Sequence, residues 1–175
     1  MLLIGQLGFG QTVSDNAVIP VSVTLNSILR LTVTSGGNIQ FVFTTIDHYT
    51  NRIANSTRYD TEFTISSSRD YTVTMVPDNA THFTGLEAGT STVFVNENIG
   101  YSLTGQGVSS AGALRGLDAT EDIIDAGTAG ANKQYTIHWE CGTSGALSMN
   151  ANSLLDESYP ADVYVQNIFL TLIPN

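Results

Sequence analysis

The 175-residue chain has few of the residues that staple, charge or anchor a protein. It has one cysteine, Cys141, so no disulfide can form within it. It has one lysine, Lys133, and five scattered arginines against sixteen acidic residues, for a formal net charge of −10. Phosphate recognition needs clustered Lys and Arg, so this balance argues against nucleic acid as a partner. Charged residues of both signs make up 13%, about half the usual fraction. The longest uncharged apolar start, residues 1–11, falls well short of the roughly 20 residues that span a bilayer. Phosphate loops and dinucleotide fingerprints are missing, and no solenoid repeat is visible.

What replaces charge is 22 Thr, 16 Ser, 13 Asn and 16 Gly. Threonine is β-branched and suits a half-buried sheet surface. Asn, Ser and Gly suit turns. Exposed helix faces would need Glu and Lys, which are scarce. The composition therefore points to an all-β protein. Low lysine with net negative charge is common in secreted proteins, so an extracellular or cell-surface location is expected. Residues 1–11 resemble the end of a secretory signal peptide, or else form a structural strand.

Two-residue periodicity recurs along the chain. Ala17, Ile19, Val21, Val23 and Leu25 alternate with Val18, Pro20, Ser22 and Thr24. Leu29, Leu31 and Val33 follow, then a Gly36-Gly37-Asn38 turn, then Ile39, Phe41 and Phe43, a hairpin candidate. Further strands are expected around Phe63 and Ile65, Tyr71 to Met75 ending at Pro77, Val93 and Val95, Ile99 to Leu103, Tyr135 to Trp139, and Leu147 with Met149. In the last segment, 162–173, the apolar phase shifts near Gln166-Asn167, as at a β-bulge or in a strand buried on both faces. Nine or ten short strands at regular spacing predict an Ig-like or jelly-roll-like antiparallel β-sandwich with an N-terminal extended strand. Residues 1–25 form an apolar N-terminal segment and 26–175 the sandwich. A Gly/Ala-rich stretch, 105–131, reads as a long loop carrying a short helix over 118–125.

No convergent nucleophile, base and acid emerge, so an enzyme is not expected. Asp118, Glu121, Asp122 and Asp125 would share one helical face and could offer oxygen ligands to Ca²⁺, though a solvated acidic face is the plainer reading. No other cofactor is indicated. His138-Trp139-Glu140 has the H-x-E order of zinc deaminases but lacks their cysteine pair. In a strand His138 and Glu140 share a face, with Trp139 on the other, facing the core. Asp47-His48 beside a serine is no firmer. The three histidines, His48, His82 and His138, carry no metal-ligand spacing. Tyr49, Tyr59, Phe83, Tyr159 and Tyr164 fall near strand ends and could stack on a glycan.

The segment AVIPVSVTLNSILRLTVTSGGNIQFVFTTIDHY resembles the opening of spore-coat-U-like and archaic chaperone–usher pilin domains. The closing YPADVYVQNIFLTLIPN is similar to their terminal strand. The likeness covers about a third of the chain. The paired cysteines of such pilins are missing, and residues 105–131 have no counterpart there. The resemblance implies a filament subunit joined by β-strand addition, with Ala17, Ile19, Val21, Val23 and Leu25 as the donor anchors. The partner would be a second copy of the chain. Pairing within the chain remains open at this point. The alternatives are a monomeric carbohydrate-binding or adhesive module and a viral coat protein.

Overall fold

A computed structural model describes residues 17–54, 56–87, 92–106, 108, 113–117, 120–142, 144 and 146–175. The chain is mostly antiparallel sheet, as its alternation predicts. Its strands are β1 (Leu29–Ser35), β2 (Arg52–Ile53), β3 (Asp60–Ser67), β4 (Tyr71–Pro77), β5 (His82–Gly85) and β6 (Val93–Val95). They continue with β7 (Ile99–Gly105), β8 (Arg115–Gly116), β9 (Glu121–Gly127), β10 (Gly130–Gly142), β11 (Tyr164–Val165) and β12 (Ile168–Pro174). Among the described residues, the short α-helices α1 (Ile46–Thr50) and α2 (Leu154–Glu157) begin at Thr45 and Ser153, whose side chains accept backbone N–H groups.

The largest sheet runs β1-β3-β10-β7-β8, with β2 also pairing the end of β10. A second sheet runs β12-β4-β9, and a third, small one runs β11-β5-β6. Alternation decides which side chains go inward. Phe63 and Ile65 of β3, Tyr135, Ile137 and Trp139 of β10, and Tyr101 and Leu103 of β7 are buried. They join Tyr71, Val73 and Met75 of β4 and Ile123 and Ile124 of β9 in one core cluster. The result is a sandwich-like all-β fold in which Thr, Ser and Asn occupy much of the outward phase.

Several expected elements differ. Residues 39–43 form no strand. Thr61 Oγ1 donates to the Gly36 carbonyl at 2.7 Å, and a Cβ on Gly36 would lie 1.8 Å from the Asp60 carbonyl oxygen. The chain therefore turns away from β1 there, and β3 takes the place beside β1. Ile39, Phe41 and Phe43 instead pack as a partial cover on the core, with Phe41 stacked on Tyr59 at 4.5 Å. Leu147 makes only an isolated bridge to Arg115. The described part of 105–131 holds β8 and β9 rather than a helix-bearing loop. The phase shift at Gln166-Asn167 marks a break between two strands in different sheets, β11 and β12. Gln166 Nε2 donates to the Asn79 carbonyl at 2.7 Å and Asp78 N to the Asn167 carbonyl at 2.8 Å, pinning the crossover.

Candidate functional site

The most unusual feature is the segment leading into β1. Residues 17–25 are in no strand, contrary to a reading of them as the first strand of their own sandwich. Ile19 is 82% exposed, Val21 83%, Val23 79% and Leu25 90%. Alternating β-branched and aliphatic residues of this kind are sheet material left in solvent.

The body of the fold has a matching deficiency. Among the described residues β1 and β12 are end strands, each paired on one side only, and they approach one another. In β1, Leu29, Leu31 and Val33 lie opposite the core-facing Ser67, Ile65 and Phe63. Their partners are buried, yet Leu29 and Leu31 are half-buried and Val33 is exposed. In β12, Leu170 and Leu172 lie opposite Met75 and Val73, and again the partners are buried while the leucines are half-buried. The core-facing rows of both end strands thus stop short of full cover along this seam of the sandwich.

The acidic candidates do not converge. Asp118 lies outside the described residues. Glu121, Asp122 and Asp125 sit on β9, not on a helix, because pairing with β4 buries the intervening Ile123 and Ile124. Glu121 accepts from Tyr101 Oη and Arg115 Nη1. Asp122 accepts from Thr74 Oγ1 at 2.6 Å, and Asp125 is exposed. No group of three or more His, Cys, Asp or Glu side chains able to hold a metal occurs among the described residues.

His138 and Glu140 do share the outer face of β10, and Trp139 is buried on the other. They pair separately. Glu140 meets Arg52 at 3.2 Å. His138 Nδ1 lies 2.8 Å from Asp60 Oδ1, and its Nε2 lies 3.0 Å from Thr104 Oγ1. This carboxylate–imidazole–hydroxyl line has the order of a catalytic relay. It runs across three paired strands, where Thr136 faces Thr104 and His138 faces Ser102 in unbroken register. The neighbouring amides are engaged in the ladder and leave no converging N–H pair for an oxyanion. The line therefore reads as a cross-strand polar tie. The aromatics considered for glycan stacking also find partners. Tyr49 meets Phe43, Tyr59 meets Phe41, and Phe83, Tyr159 and Tyr164 gather around Phe94. Burial and a bond to Glu157 push the Tyr159 phenol up to about 12. Cys141 is buried, which raises its thiol pKa and leaves it inert.

No helix of the described residues is long and apolar enough to cross a membrane. No protein-family model matches the sequence, and no curated protein matches it significantly.

Proposed function

We propose that the protein is a structural subunit of an extracellular filament or cell-surface assembly. Residues 17–25 of one copy add as a strand to the seam between β1 and β12 of the next. The observation that carries this reading is the pairing of an exposed apolar strand sequence with two under-covered end strands in one chain. Ile19, Val21, Val23 and Leu25 share a phase, so all four can pack against the partly buried Leu31, Leu170 and Leu172. Each fully buried anchor contributes roughly 1.5–3 kcal/mol.

Parity favours a strand from another copy over the chain's own. Directly opposed antiparallel residues project to the same face. A two-residue loop at Asn26-Ser27 would set Thr24 against Leu29 and Ser22 against Leu31. That register points hydroxyls at the core and the apolar set at solvent. The opposite phase needs an odd loop: Asn26 to Ile28 would put Ile28 in the left-handed region, which β-branched residues resist, and Leu25 to Ser27 would give up Leu25 as an anchor. Ile28 is also tied to Ser68, whose N–H donates to the Ile28 carbonyl at 2.9 Å. A donor from a second copy has no loop to set its register.

The test is electron microscopy and size-exclusion chromatography of the purified protein. Intact protein forms fibres, and deletion of residues 1–25 yields monomers. Appending a linker and a copy of residues 17–25 after Asn175 of the truncated chain gives a stabilised monomer. Polymers from the truncated protein would overturn the strand-addition reading.

A further inference from the structure

Six cationic side chains serve a protein of net charge −10, and the arginines are nearly all committed. Arg52 pairs with Glu140 and Arg115 with Glu121. Arg69 holds the Asn175 carbonyl at 2.8 Å, and Arg58 lies over the Tyr59 ring. Arg30 is different. Among the described residues its side chain donates one hydrogen bond, from Nε to the Thr32 hydroxyl at 3.2 Å, and meets no carboxylate. It sits on the outer face of β1, over a cleft of about 200 Å³ lined by Arg30, Thr32, Thr64, Ser66 and Asn132.

The cleft is built by an irregularity in the sheet. Gly130 pairs with Ser67 and Lys133 with Ile65, so two residues of β10, Ala131 and Asn132, oppose Ser66 alone. This is a β-bulge, a device that re-aims side chains. Asn132 adopts φ 52°, in the left-handed region that asparagine tolerates better than most residues. Its N–H donates to Ser66 Oγ at 2.9 Å, and Ser66 Oγ lies 3.3 Å from Asn132 Oδ1. The bulge stands Asn132 up as one wall, with Arg30 on the opposite side.

We infer that this cleft binds a carboxylated saccharide, a uronic acid. A guanidinium with free N–H groups matches a carboxylate in two parallel hydrogen bonds. Three hydroxyls and an amide supply both donors and acceptors for sugar hydroxyls. No aromatic ring lines the cleft, so a neutral sugar lacks a stacking platform, and charge has to set recognition. The face is polarised along the strands. The Arg30–Ser66 pair stands at one end, and Glu62 lies two residue pairs beyond Thr32 and Thr64 at the other, opposite Ser35. Arg30 reaches along the face to Thr32, so an acid binds with its carboxylate at the guanidinium and its hydroxyls toward Ser66 and Asn132. The site is built by one copy, on the outer face of the end strand β1.

The experiment titrates the full chain with D-glucuronate, D-glucose and acetate, following amide shifts by magic-angle-spinning NMR, which reads fibres and free subunits alike. Glucuronate binds in the millimolar range, shifting Ser66 and Asn132, and glucose and acetate each bind at least tenfold more weakly. Arg30→Gln abolishes the shifts. Asn132→Gly, which keeps the backbone conformation, weakens binding several-fold. Equal binding of acetate would reduce the cleft to a simple anion contact and overturn the proposal. So would unaltered binding in Arg30→Gln, or no glucuronate shifts at tens of millimolar.

Discussion

The hydroxyls of Tyr71 and Tyr135 meet 2.8 Å apart in the buried space between the two larger sheets. Tyr71 comes from β4 and Tyr135 from β10. Tyr135 passes a second bond to the Gln106 carbonyl at 3.1 Å and stacks on Phe63 at 5.3 Å. Each ring lies against a glycine. A Cβ on Gly127 would come within 2.3 Å of the Tyr71 ring, and one on Gly105 within 2.4 Å of Tyr135. Two phenols thus join the sheets through a buried polar contact with room made for both rings.

The two hydroxyls are not equivalent. Since Tyr135 donates to Gln106, Tyr71 donates to Tyr135. Tyr71→Phe removes one donor and leaves every other group paired, for a loss of about 1 kcal/mol. Tyr135→Phe strands both the Tyr71 hydroxyl and the Gln106 carbonyl, for a loss of about 1–3 kcal/mol. Urea unfolding of the two variants measures the order. Equal or reversed losses would refute this bond direction.

Alkaline pH unfolds the protein through its tyrosines. Burial, then a bond to a neighbour, raises Tyr71 (neighbour Tyr135), Tyr101 (Glu121) and Tyr159 (Glu157) above the ordinary 10. The folded state keeps protons that the unfolded state has released. The contribution of these tyrosines is therefore full below pH 10 and falls as pH rises above it, and that of the buried Cys141 thiol starts to fall about one unit lower. For Tyr159 the loss is complete near pH 12. Absorbance of tyrosinate at alkaline pH should rise for these residues together with loss of tertiary circular dichroism. Ionisation of all seven tyrosines well before unfolding would contradict it.

Thr61 holds the core tryptophan. Its Oγ1 accepts from Trp139 Nε1 at 2.9 Å and donates to the Gly36 carbonyl at 2.7 Å. Thr61→Val keeps the shape but leaves the indole N–H and the carbonyl unpaired, at about 1–3 kcal/mol. The native tryptophan emission shifts, and the denaturation midpoint falls. A midpoint unchanged within error would show that the hydroxyl is dispensable.

Strands with one buried face were readable because a single alternation records both burial and pairing. This holds for β3, β4, β7 and the second half of β10. Reading failed where another force produced the same pattern. Ile39, Phe41 and Phe43 alternate but satisfy themselves by ring packing, without a ladder. Residues 118–125 show acidic spacing that suits a helix, yet Ile123 and Ile124 are drawn into pairing with β4. The tie of His138 to Asp60 and Thr104 joins positions 78 and 34 residues apart in sequence. No local motif announces it. Arg30 stands out only after its neighbours across β3 and the bulge in β10 are known.

Composition and periodicity by themselves determined the all-β class, the inward set of the central strands and the apolar phase of residues 17–25. These depend on each residue's own preference for water or core and on the two-residue repeat of an extended chain. Tertiary structure alone decided which strands became neighbours. It set β3 beside β1, made β1 and β12 end strands among the described residues, and left residues 17–25 outside the described sheets. The physical reason is that pairing depends on loop closure, on parity and on the space left at each sheet end. None of these is a property of any one segment.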